Sequence, residues 1–185
     1  MSFSSKIPAL IFVFIAAILI QSCSDDDPFR IDFSEAPPPF DTSQAVRDTT
    51  LAGNVQLFII EEGEGPFEVV SRDVIEVQLT ARTEDGRIVD SSFNNRFAGT
   101  SRVLTNLRPS PVPGSGRQVI LLVQGLRKAL LGMKEGESRT IIIPPEMGFT
   151  DQFGSLARRL GPRLNPGLDL RGETLTYDVE LLNIL

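Results

Sequence analysis

The sequence predicts an α+β fold: a curled antiparallel β-sheet of about five strands wrapped around one short helix. Three observations carry that expectation. Runs rich in β-branched and apolar residues recur after residue 54, separated by turn-forming clusters. The 13 prolines and 15 glycines mark a loop-rich, mainly β chain. A single stretch, Gln118–Glu137, passes from a strand-like run through a glycine corner into a helical pattern. There Leu126, Ala129, Leu130 and Met133 recur at i, i+3, i+4 and i+7, one apolar stripe on a helix of about two turns. Gly132 is placed to end it, because glycine enters the left-handed cap conformation without a Cβ penalty. So short a helix does not hold in isolation, and a sheet has to cover it.

In chain order, residues 1–22 read as a targeting segment. Lys6 supplies a positive start, and Ile7–Ile20 is an apolar run short of the roughly 20 residues of a membrane span. Leu19-Ile20-Gln21-Ser22-Cys23 resembles a bacterial lipobox, which implies cleavage before Cys23 and lipidation of that cysteine. The plainer reading is an ordinary signal peptide, or an uncleaved anchor, with an incidental cysteine. Ser24-Asp25-Asp26-Asp27 is similar to the acidic export signal of surface lipoproteins, or is simply a charged tether. Pro28–Thr50, with Pro37-Pro38-Pro39, reads as a semi-extended linker, so residues 23–53 are expected to be tether and 54–185 the folded domain. The lipobox reading implies a protein of the bacterial cell envelope, lipid-anchored to the outer membrane and either periplasmic or surface-exposed.

Within the domain, Val55–Ile60 is strand-like. Asp73–Thr83 alternates polar and apolar residues, a strand with one wet face. Glu84-Asp85-Gly86-Arg87 is a turn with glycine where φ > 0 is required, and Ile88–Val89 return as the next strand. Phe93–Arg117 is a long, basic, Pro/Gly/Ser-punctuated connection, and such loops in compact domains are commonly functional. Val119–Val123 is a buried apolar run, and Ser138–Ile143 a further strand stopped by Pro144-Pro145. Glu146–Gly172 is a second long loop, with a helical turn expected over Ser155–Leu160. Thr174–Leu185 is the final strand.

Composition removes whole classes of chemistry. With no histidine and one cysteine, no Ser-His-Asp or Cys-His arrangement and no ordinary zinc site can form, and no metal or other cofactor is expected. Asp25–Asp90 is strongly acidic, whereas Ser91–Lys134 contains no Asp or Glu. This asymmetry reads as solvated loops, or as a basic rim that meets an anionic partner. Nucleic acid is not expected as a partner, since no basic stripe with interleaved aromatics is present.

Thr83–Phe93 (TEDGRIVDSSF), Val123–Phe149 (VQGLRKALLGMKEGESRTIIIPPEMGF) and Thr174–Ile184 (TLTYDVELLNI) resemble, in order and spacing, FKBP-type peptidyl-prolyl cis-trans isomerases. The resemblance implies a roll of antiparallel strands around a short helix, with a cup between them that holds a prolyl ring. It implies proline-containing polypeptides as clients, macrolides as inhibitors and a monomer. By position, Asp90 takes the place of the cup carboxylate and Val123 that of the backbone N–H that meets a substrate carbonyl. Phe149 stands where a tyrosine often offers its hydroxyl. Leu122 is a wall residue, Leu126 the cup floor in place of tryptophan, and Tyr177 an aromatic wall. Leu79 and Val89 replace a tyrosine and a phenylalanine. A further aromatic wall aligns with Phe97, Val103 or Leu104. From patterning alone, Leu79, Val89, Leu126 and Tyr177 equally suit a plain core, Asp90 a turn cap and Phe149 a loop anchor. The aliphatic lining also fits a second reading, a catalytically weak polypeptide-binding chaperone of the same fold. A third is a structural envelope lipoprotein gripping an anionic partner through its basic region.

Overall fold

The computed structural model describes residues 32–93, 102–105, 107, 123–149 and 170–185, at 102–105 for the backbone alone. Cys23, Leu122, Phe97 and the turn expected at Ser155–Leu160 lie outside them.

The strands are β1 (Arg47–Leu51), β2 (Val55–Glu61), β3 (Val74–Thr83), β4 (Ile88–Ser91), β5 (Arg102–Thr105), β6 (Ser138–Ile143) and β7 (Leu175–Ile184). They form one antiparallel sheet in the order β1-β2-β6-β7-β3-β4, with β5 also on β3. β4 pairs with the Thr80–Arg82 end of β3 and β5 with the Val74–Val77 end, so these two share one sheet position end to end. Two strands go beyond the sequence expectation. β1 lies in the stretch read as linker: its residues are exposed except for a half-buried Leu51, so apolar alternation could not announce it. Its pairing with β2 is set by the Ala52–Asn54 loop, where Gly53 (φ +87°) and Asn54 (φ +58°) are both left-handed. β5 lies in the connection read as loop, four residues among its prolines and glycines.

The helix, α1, runs Gln124–Leu130. It stops before Met133 because Leu131 is already extended and Gly132 (φ +73°) reverses the chain, donating its N–H to the Val69 carbonyl at 2.9 Å. Leu126, Ala129, Leu130 and Met133 are nonetheless all fully buried, so the stripe has the expected role. Gly125 does more than interrupt the apolar run. A Cβ there would sit 2.5 Å from Ile143 Cγ2, so glycine is what lets α1 lie directly on β6.

That contact identifies the faces of the sheet. Ile143, Ile141 and Arg139 alternate along β6 and share the α1 side. Arg139 confirms it, donating to the Ala129 carbonyl at 2.5 Å and the Leu131 carbonyl at 3.2 Å. Residues directly opposite one another in neighbouring strands share a face. Leu57, Ile141, Tyr177, Ala81 and Asp90 therefore form one row across the α1 face. Ile59, Arg139, Val179 and Leu79 form the next row on the same face.

The opposite face departs from the single wet face expected of β3. Glu76 and Gln78 are half-exposed, but Thr80 and Arg82 are buried, as is Asp178 opposite Thr80. The chain that covers them is the segment read as tether. Arg82 donates from one Nη to Asp178 Oδ2 at 2.6 Å and from the other to the Pro37 carbonyl. The Phe40 N–H donates to the same carboxylate. A 3₁₀ turn at Thr42–Gln44, capped by Asp41, then leads to β1.

Candidate active site

Three strands meet at Ala81. Asp90 of β4 and Tyr177 of β7 both pair with this residue, from its two sides, so the carboxylate and the phenol flank a methyl group on the α1 face. Alanine suits the position because a larger side chain would fill the space between them. Asp90 is 4 % and Tyr177 1 % exposed. Burial raises the Tyr177 phenol well above its ordinary value, and the Asp90 carboxylate raises it further, so Tyr177 is a neutral hydroxyl throughout the physiological range.

β4 reaches this geometry through an irregularity. The register with β3 slips between Ala81–Asp90 and Arg82–Ile88, leaving Val89 as an extra residue. Bulges re-aim side chains, and at this one Val89 and Asp90, sequence neighbours, are both buried. Ser91 and Ser92 are fully buried as well and tie β4 down. The Ser92 N–H donates to the Leu79 carbonyl at 2.8 Å, while Ser92 Oγ accepts from Leu79 N–H at 3.1 Å. Thr80 Oγ1 and Ser91 Oγ share a hydrogen bond of 2.9 Å. The Asp-Ser-Ser sequence is thus a clamp on β3 as well as the carrier of a carboxylate.

Val123 is the N-cap of α1, a position whose N–H has no acceptor within the helix; its carbonyl accepts from Arg127 N–H at 3.1 Å. It is 1 % exposed, Leu126 lies one turn on, and Leu79 sits in the row beside Asp90's. Phe149 is buried as well. A 3₁₀ turn at Pro145–Met147 and a bridge between Phe149 and Arg171 hold it near the start of β7. Of the sequence-derived residues, Asp90, Leu79 and Tyr177 are brought together by strand pairing, while Val123 and Leu126 come from the helix packed on the same face. Leu122 lies outside the described residues, and the side chains of Val103 and Leu104 are likewise undescribed.

Sequence reasoning missed Ala81, Thr80, Arg82 and Asp178. The signal available was the polar parity of β3 and β7 at one shared register, Thr80 opposite Asp178, but register between distant strands is not written in either strand alone. Behind the site, Asp178 also accepts from Thr140 Oγ1 at 2.7 Å. Burial pushes its carboxyl upward, against the opposing pull of Thr140, Arg82 and the Phe40 N–H.

Comparison with known proteins agrees with this architecture. The family profile described as FKBP-type peptidyl-prolyl cis-trans isomerase matches residues 65–182. The chain is 29 % identical over 153 residues to chloroplastic peptidyl-prolyl cis-trans isomerase FKBP16-1 of Arabidopsis thaliana, covering 80 % of this chain and 66 % of that one. It is 32 % identical over 121 residues to the mouse isomerase FKBP2, covering 64 % of this chain and 67 % of the relative. Among solved structures, FkpA from Escherichia coli superposes with a TM-score of 0.53 at 22 % identity, over 74 % of this chain and 51 % of FkpA. AtFKBP13 does so with 0.53 at 22 %, over 75 % of this chain and 99 % of its own. The chain thus spans about two thirds of the Arabidopsis relative and half of FkpA. A matched family profile over most of the strands and helix, on a sheet curled over one short helix, leads to one conclusion: this chain belongs to the FKBP-type peptidyl-prolyl cis-trans isomerase family.

Proposed function

We propose that the protein accelerates cis-trans isomerisation of X-Pro bonds in polypeptide clients, using the α1 face around Ala81. The observation that carries this reading is the pairing of both Asp90 and Tyr177 with Ala81 on that face. The barrier of roughly 18–20 kcal/mol comes from amide resonance, so no nucleophile or proton relay is needed, which suits a chain without histidine. A prolyl ring resting against Leu126, Leu79, Val89 and Tyr177, with Leu122 and Phe149 at the walls, is taken out of water. The planar, polar amide is thereby disfavoured relative to the twisted one. On twisting, the nitrogen lone pair leaves the carbonyl, whose carbon becomes more positive; the Asp90 carboxylate favours that state in a low-dielectric surround. The Val123 N–H fixes a client carbonyl.

The lipobox-like sequence supports an anchored protein that meets clients outside the cytoplasm, lipid attached at Cys23. Aliphatic Leu79, Val89 and Leu126 at the lining favour a second reading, client holding with weak catalysis.

An assay of the full chain on an X-Pro peptide tests the enzymatic reading. Asp90→Ala should lower kcat/KM by about one to two orders of magnitude, roughly 1.4–2.8 kcal/mol of lost transition-state stabilisation. Folded wild-type protein that leaves the uncatalysed rate unchanged would refute catalysis; client binding retained in that protein would select the holding function.

A further inference from the structure

The three strands that carry the site are held from behind by residues one position away. Ala81 is followed by Arg82, Tyr177 by Asp178 and Asp90 by Ser91, and each of these followers is buried on the opposite face. There Arg82 joins Asp178 at 2.6 Å and Thr140 joins Asp178 at 2.7 Å, while Ser91 is tied separately, to Thr80 at 2.9 Å. Two partners of this network come from neither strand nor helix. The Pro37 carbonyl accepts from Arg82, and the Phe40 N–H donates to Asp178.

We propose that the Pro37–Phe40 segment is a strap closing the back of the site, and that Arg82 and Asp178 are positioning residues that hold Asp90 and Tyr177 through it. The inference rests on reading the Ala81 row as the active site. The physical reason is continuity of the backbone: fixing a side chain on one face of a strand fixes the direction of its neighbour on the other face. Buried charges also need every partner. A guanidinium or carboxylate that loses one drags in water or shifts the strand that carries it. Pro37 suits this use because its ring fixes φ and it has no N–H of its own to satisfy, while its carbonyl remains a full acceptor. From Pro37 onward the chain is therefore part of the domain, not tether. A client-binding face on one side of the sheet and the Pro37–Phe40 segment bound to the other would keep the two apart.

The chain carries its own reporter. Tyr177 is the only tyrosine and there is no tryptophan, so tyrosine absorbance and emission come from the site alone. The test uses the full chain with Arg82→Met, and with Arg82→Met/Asp178→Leu, since replacing a buried ion pair by apolar residues of similar volume often leaves folding intact. Amide exchange at Phe40 should quicken by about 10- to 100-fold, the scale of a hydrogen bond to a charged group. In the same proteins Tyr177 should titrate closer to an ordinary phenol. In the isomerase assay kcat should fall with KM little changed, and Arg82→Lys should restore only part of it, since a lysine ammonium lacks the guanidinium fork that reaches Asp178 and Pro37 together. Quickened exchange with unchanged Tyr177 titration and unchanged kcat would overturn the positioning role. Unchanged exchange at Phe40 would overturn the strap itself. If wild-type protein shows no isomerase activity, the functional reading fails, while exchange and the tyrosine titration still decide the strap.

Discussion

Two buried arginines fasten this sheet from opposite faces with the same kinds of partner, one carboxylate and backbone carbonyl oxygen from a neighbouring segment, two carbonyls for Arg139 and one for Arg82. Arg139, 5 % exposed, pairs with Glu137 at 2.5 Å and donates to the Ala129 and Leu131 carbonyls at the end of α1. Arg82, also 5 % exposed, pairs with Asp178 at 2.6 Å and donates to the Pro37 carbonyl. The difference lies in what each arginine completes. The last carbonyls of a helix have no partner within it, so Arg139 fills a need that any docked helix has. Its carboxylate is local, two residues away on the same chain, and is held in turn by the Lys134 N–H at 2.9 Å. Arg82 reaches a carboxylate 96 residues distant and recruits a segment that has no element of its own there. Arg139 thus supports the helix that forms the floor of the proposed site, and Arg82 the sheet face behind it.

Removing each support in turn separates these roles. The largest expected effect is that of Arg139→Ala. It leaves Glu137 buried without its cation and two helix carbonyls without a donor, a loss of about 3–5 kcal/mol. Urea unfolding should show it as a lower midpoint, with isomerase activity lost because α1 no longer holds Val123 and Leu126 in place. A midpoint within experimental error of wild type would mean that α1 is held by its apolar stripe alone. Next comes Gly125→Ala, which presses a methyl group into Ile143 at 2.5 Å and should cost about 1–3 kcal/mol by overpacking. It displaces the helix without touching either arginine, so Phe40 amide protection should stay at the wild-type level while activity falls. Loss of protection at Phe40 would show that floor and back are coupled, and that the contrast between the arginines is too sharp.

The parts of this architecture differ in how they were written in the sequence. The stripe Leu126–Met133 was legible because helical periodicity is local, and β3, β6 and β7 because their residues alternate or cluster over six or more positions. β1 was not: Arg47-Asp48-Thr49-Thr50 has no apolar face to reveal, and only pairing with β2 makes it a strand. The Asp90 and Tyr177 positions came from family resemblance to short motifs. Patterning alone left both compatible with a turn cap and a plain core. Ala81, which brings them together, carried no chemical signal at all. The polar parity of Arg82 in β3 predicts a solvent-facing side chain, but parity reports which face a residue takes, not what covers that face. The cover is Pro37 and Phe40, in a stretch whose three prolines suggest an extended chain and say nothing of where it lies.

Tyr177 gives the smallest of these effects and the one most specific to the space between the two arginines. Its row passes through Ile141 and Ala81, with Arg139 opposite Val179 two positions along β7 and Arg82 opposite Thr176 one position back. Burial and Asp90 raise its phenol above the ordinary value of 10.0 in the folded chain. Above that pH the unfolded chain gives up a proton that the folded chain keeps, so the folded state binds more protons and stability falls as pH rises. The contribution is complete below pH 10.0 and is lost progressively on the way to the folded-state value. Tyr177→Phe removes this slope while keeping the ring in the core. Urea midpoints measured from pH 9 to pH 11 should therefore fall for wild type relative to the variant as pH rises, by roughly 1.4 kcal/mol for each unit above the ordinary phenol range. Parallel curves would mean that the phenol titrates normally, and that neither face of the sheet isolates it from water.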